Sequence, residues 1–480
     1  MNHRHVYSCF LALSLGAACA QPRPEQQFIT DAADALGGRS RIQAVQTLTI
    51  EGEGVNYNLG QDMKPDAATQ QFTVTGYKRQ MDFRNHRQRV EQTRTPKFAY
   101  FQGPQPQQQI QGLDNQVAFN VNAAGASSRL GSQGELDRRA DFYHHPVALV
   151  RAVLDTQATV GNVRQVGTVR QADVTTSGGT TVTMSIDAAG VPLSISSKSY
   201  NINLGDVVIT TTFGEYQDVS GLTLPAQFTG KVDDFTTWQI HATKQTLDAD
   251  VDIAAPASAS HASTAAAAPA VTVEQLGKGV WWLAGQSHHS VLVEFSDHLM
   301  LIEAPQNEAR TLAVIAKAKE LVPGKPLQQV VTTHHHFDHT AGLRAAIAEG
   351  LTVITQSGNR SWVEAMARRP HTLQPDALAK KEQRLVVETV DGEREYKDQT
   401  MTVMLYHVEG NPHSDTMLMA YIPRDRVLIE ADAFSPGSAV NPYAANLLEN
   451  IQKRKLRVDR VVPLHGTIAP MSELEKVAKP

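Results

Sequence analysis

The chain has 480 residues, 41% hydrophobic and 19% charged, a balance that suits a globular protein long enough for two domains and excludes a disordered or fibrous one. Its formal net charge of −5 comes without a basic stripe, which argues against nucleic acid as a partner.

The N-terminus reads as an export signal over residues 1–20. His3-Arg4-His5 makes a short basic start, Val6 to Ala18 is apolar, and Ala18-Cys19-Ala20 offers a small-residue cleavage site before Gln21. The apolar stretch is too short for a stable anchor, so no transmembrane helix is expected in the mature chain. A periplasmic or secreted protein follows. Acylation of Cys19 is the alternative, weakened by Gly16 where an aliphatic residue belongs. Cys9 and Cys19 are the chain's two cysteines, so cleavage after Ala20 leaves no thiol for a disulfide, a nucleophile or a metal.

Residues 21–253 read as a mainly antiparallel β domain. Phe28 to Leu36 suits a short helix stopped by Gly37-Gly38. Leu48 and Ile50, then Val182, Met184 and Ile186, then Leu193 and Ile195, alternate with polar residues as strands do. Ser177-Gly178-Gly179, Ala189-Gly190 and Ser220-Gly221 are turn signals, Gln105 to Gln109 reads as a polar loop, and Pro146 to Leu154 as a helix. His144-His145 are expected as helix-start polar residues, not ligands. Binding of an apolar ligand, or envelope contact, is open to this domain. Residues 254–270 contain only Ala, Pro, Ser, Thr and His261 and read as a linker.

Residues 271–480 change pattern. Strands are expected at Val280 to Leu283, Val291 to Phe295, Leu299 to Ile302, Leu327 to Thr332, Leu351 to Thr355, Leu385 to Val390, Thr402 to His407, Thr416 to Tyr421, Arg426 to Ile429 and Arg460 to Pro463. Helices are expected at Ala341 to Glu349, Ser361 to Arg368 and Pro442 to Lys453. Such alternation suggests an α/β domain of two sheets covered by helices.

The strongest chemical signal is Thr333-His334-His335-His336-Phe337-Asp338-His339-Thr340, just beyond a strand. Imidazole and carboxylate are the ligands that first-row divalent metals take where no thiolate is offered. Three more candidates follow at strand ends: His413 in Asn411-Pro412-His413-Ser414-Asp415, Asp432 in Glu430-Ala431-Asp432, and His465 in Leu464-His465-Gly466.

With these residues in order, residues 271–480 resemble the metallo-β-lactamase superfamily. The resemblance implies an αββα sandwich with a two-metal site along one edge of the paired sheets. It implies one metal at His334, His336 and His413, a second at Asp338, His339 and His465, and Asp432 bridging both. The residue types agree: five histidines and two carboxylates supply three or four protein ligands to each ion and leave positions for water. A hydroxide held between two divalent ions is a nucleophile near neutral pH, and Asp338 is the catalytic residue expected to orient it. Two Zn2+ lead, with manganese and iron also suited. Glu303 stands where many members carry Asp, which puts its supporting role in question. Zinc β-lactamases usually lack a bridging aspartate, so Asp432 favours the broad hydrolase branch, with its thioester hydrolases and lactonases, over antibiotic hydrolysis.

Other residues around these motifs have less specific readings. His335 is expected to point away from the ligands, at the surface or behind them. His288-His289 suit substrate contact or a loop cap, and His407 suits support or packing. Asn441, Pro442 and Tyr443 suit a pocket wall or a helix start, and Trp281-Trp282 suit the core. The expected activity is hydrolysis of an ester, thioester, lactone or amide in a small-molecule substrate. The rivals are an iron-dependent redox or sulfur-metabolising relative, and a ligand-binding envelope protein with an accessory metal domain.

Overall fold

The computed structural model describes residues 23–98, 106–261, 269–381 and 383–478. The expected signal, and residues 262–268 of the expected linker, lie outside them.

The first part of the chain builds one sheet of 13 strands, antiparallel at every pairing. It is two meanders joined where Thr47–Tyr57 pairs with Phe235–Leu247. The helices Pro24–Ala35 and Pro146–Leu154 bury Phe28, Ile29, Val147 and Leu149 in a single core with Leu48, Ile50, Val182, Met184 and Ile186. The alternation read from the sequence is this buried face. Residues 107–109 of the polar loop expected over Gln105 to Gln109 are instead the start of the strand Gln107–Asp114, and residue 105 lies outside the described residues. In 254–270, Ala257–Ser260 makes one helical turn and Ala259 is buried.

The second part forms a seven-stranded and a six-stranded sheet with helices outside both. Leu299–Ile302 shows why these layers form. All four residues are buried, Met300 and Ile302 facing the six-stranded sheet and Leu299 and Leu301 facing the helices. Val427–Glu430 repeats this, with Val427 and Ile429 between the sheets and Leu428 on the helix side. A strand covered on both faces reads as a continuous apolar run, and these do. The helix Glu308–Leu321, capped by Asn307, has no counterpart in the sequence reading. Among the described residues, no helix is long and apolar enough to cross a membrane.

Candidate metal centre

The strand Leu327–Val331 runs parallel between Leu299–Ile302 and Thr352–Gln356, so the chain leaves the sheet at the histidine cluster. Thr333 O accepts from Leu418 N of the other sheet at 2.7 Å, and the short helix Phe337–Thr340 then carries Asp338 and His339. His413 is set by Asn411, whose buried side-chain oxygen accepts from His413 N (2.8 Å) and Ser414 N (3.2 Å). Asp432 follows Val427–Glu430 with φ +60, a left-handed conformation. The chain is turned there by Glu430, whose carboxylate accepts from Ala433 N and Phe434 N. Burial pushes the Glu430 carboxyl up to about 8.

All seven predicted residues converge. His334, His336, His413 and Asp432 bring ligand atoms within 4.8 Å of one another, as do Asp338, His339 and Asp432. Asp432 belongs to both sets: His339 Nε2 and His413 Nε2 each lie 3.1 Å from its Oδ2. His465 joins a third group with Asp338 and His288, a residue left undecided from sequence. His288 Nε2 is 3.1 Å from Asp338 Oδ2, and its ring lies 4.1 Å from that of His465.

The donors fit a divalent cation. His334 Nε2 and His336 Nδ1 are buried without a hydrogen-bond partner, an arrangement that is costly unless another ligand takes the lone pair. Burial, then neighbouring imidazoles, hold both histidines well below their usual pKa, so they are neutral and able to donate. Burial opposes charge on His339, but Asp432 and Asp338 outweigh it and hold its pKa well above the usual value. Burial would raise Asp338, yet His339 and His288 keep its carboxyl well below the usual range.

Glu303 does support the site. It is wholly buried at φ +77, accepts from Thr333 Oγ1 at 2.5 Å, and its Oε2 lies 3.2 Å from His339 Nδ1. His335 is buried, not surface-exposed, against Trp362, with Nδ1 3.4 Å from Thr416 Oγ1. His289 packs on Trp282, and its Nδ1 accepts from Gly285 N. His407 turns to the Asp415 carbonyl, 2.7 Å away. Trp281 and Trp282 pack against separate cores. Asn441 bonds Ser435 N, while Tyr443 lies beside His413 and lines the cavity.

That cavity, about 480 Å³, opens between the His and Asp cluster and the large sheet. Asn58, Leu59, Gln61, Gln70 and Phe98 line one side; Phe337, Ser435 and Tyr443 line it with Asp338, His413, Asp432 and His465. The contribution of the large sheet was missed from sequence, because residues 58–70 carry no motif. Gln61 Nε2 donates to Asp338 Oδ1 at 2.8 Å, and the Asp62 carbonyl accepts from His336 Nε2 at 2.9 Å.

The family model described as the metallo-beta-lactamase superfamily matches residues 284–465. Residues 284–465 belong to that superfamily. The seven-stranded and six-stranded sheets with their helices are its fold, and the His and Asp groups give this metallo-β-lactamase domain the donors of a metal-dependent hydrolase. Among solved structures, the chain is similar to DIM-1 metallo-β-lactamase exposed to ceftazidime, at 17% identity over 44% of this chain and 97% of that one, TM-score 0.35. A metallo-β-lactamase from Hirschia baltica is 19% identical over 43% and 96%, TM-score 0.35. One from Pontibacter korlensis is 18% identical over 44% and 97%, TM-score 0.34. No curated protein matches the chain.

Proposed function

We propose that this protein is an exported binuclear metal-dependent hydrolase, cleaved after Ala20, that acts on an ester, thioester, lactone or amide. The observation that carries the reading is Asp432, one carboxylate shared by two donor groups. His334, His336 and His413 would hold one ion, and Asp338, His339 and His465 the other, with zinc the leading candidate. When bound, the ions polarise the substrate oxygen and lower the pKa of water toward neutrality. Asp338 is fixed at both oxygens, by Gln61 and His288, so it is held in one orientation from which to position a water. Glu303 holds the His339 ring through Nδ1, and Phe98, Phe337 and Tyr443 give the cavity an aromatic wall.

The cavity favours neutral substrates. None of its described lining residues is Lys or Arg, the side chains that ordinarily anchor phosphate or carboxylate. This supports acyl compounds over β-lactams, whose separate carboxylate would call for such an anchor.

The test is metal content of the purified protein beside Asp338→Ala, with hydrolysis of esters, thioesters, lactones, amides, a phosphodiester and a β-lactam. About two zincs per chain are expected, with turnover of a neutral acyl substrate reduced on the order of 100-fold or more in the variant. A single iron with no hydrolysis would favour the redox reading. A metal-replete protein that binds nothing would remove both.

A further inference from the structure

We infer that residues 58–70, which join two strands of the large sheet, are a working part of the metal centre. Gln61 acts as the positioning residue for Asp338, and the Asp62 carbonyl fixes the tautomer of His336. This rests on the metal-dependent reading above.

Four consecutive residues of this segment engage the other part of the chain. Gly60 O accepts from Phe337 N at 3.1 Å, Gln61 donates to Asp338, Asp62 O accepts from His336 Nε2, and Met63 O accepts from Asp415 N at 2.7 Å. Ordinary packing of a loop on a domain does not require its contacts to fall on two residues of the donor set. The Asp62 contact has a defined chemical effect. A carbonyl can only accept, so the proton of His336 sits on Nε2 and the lone pair on Nδ1, the atom without a partner. Gln61 acts on geometry: with its amide on Oδ1 and His288 on Oδ2, the Asp338 carboxylate is held from both sides. Partners of this kind orient metal ligands and typically change affinity by about 10–100-fold.

The approach also depends on Gly60. Its φ is +81, and a Cβ there would collide with the Phe337 ring. Asn58 and Leu59, just before it, line the cavity, so the segment that sets the ligands also shapes what reaches them.

The experiment uses the full-length chain, stripped of metal and titrated with Co2+ while the visible spectrum is followed. Wild type is compared with Gln61→Ala and Gly60→Val, each checked for folding by circular dichroism. Gln61→Ala should bind the second equivalent of cobalt about tenfold more weakly, with an altered absorption band. Gly60→Val should weaken both equivalents by at least that factor. If Gly60→Val does not fold, Gln61→Ala alone decides. Folded variants with wild-type affinities and spectra would overturn the inference and leave the metal reading standing. A wild type that takes up no cobalt would overturn both.

Discussion

His145 sits wholly buried beside Phe228 with neither ring nitrogen hydrogen-bonded. Burial, reinforced by Arg79, lowers its pKa to about 3. The unfolded chain, with histidine near 6.5, therefore binds the proton first as pH falls. The stability associated with neutral His145 is full above about pH 6.5 and is lost toward pH 3, at about 1.4 kcal/mol per pH unit. In urea unfolding, His145→Leu should be more stable than wild type by roughly 2 kcal/mol at pH 4.5, relative to their difference at pH 7. Parallel pH profiles for the two proteins would refute this. The sequence showed where this residue stands, since His145 directly precedes the helix Pro146–Leu154, but not its surroundings. Phe228 comes from a strand far along the chain, and no local pattern reports it. For the same reason the sequence left His335 open between the surface and a place behind the ligands: Trp362 and Thr416, which bury it, come from different elements.

Among elements, the helix Glu308–Leu321 matters through Arg310. This guanidinium is wholly buried and donates to the carbonyls of Ala270 (3.0 Å), Leu283 (2.9 Å) and His288 (3.4 Å). It ties the start of the second part to the backbone of a histidine that grips Asp338. Arg310→Leu would leave those carbonyls unpaired, and a loss of about 3 kcal/mol is expected, measured by denaturant unfolding at neutral pH. A loss below 1 kcal/mol would mean that water replaces the guanidinium. The buried strands were legible because their apolar runs are uninterrupted. This helix was not, because its buried positions include Arg310 and Thr311 and so break the apolar stripe.

For the whole molecule, the large sheet holds the metallo-β-lactamase domain at a second place beside residues 58–70. Arg369 pairs with Asp233 and donates to the Leu204 carbonyl, while Asp206 accepts from Thr372 N (2.9 Å) and Leu373 N (3.0 Å). Asn203 donates to Phe337 O and Thr340 Oγ1, on the helix that carries Asp338 and His339. With both grips intact, calorimetry should show one unfolding transition, and Arg369→Ala should separate it into two. A single unshifted transition in the variant would show that the grip adds no coupling. Four of the seven candidate donors were legible because they fall within six positions just beyond a strand; His413, Asp432 and His465 were legible as acidic or imidazole residues on the loops after later strands. Gln61, Asp62 and Asn203 were not, since each is an ordinary loop residue until the fold places it.

The donor residues are divided between the two smaller sheets. His334, His336, Asp338 and His339 follow a strand of the first, whereas His413, Asp432 and His465 lie on loops of the second. An ion held among them would be a crosslink between distant stretches of chain, closing loops whose freedom the unfolded state would otherwise keep. Beyond residue 20 the sequence has no cysteine, so no disulfide can fill that role. Bound ions would then serve as reversible staples, and chelation would act on the molecule as reduction acts on a disulfide-bonded protein.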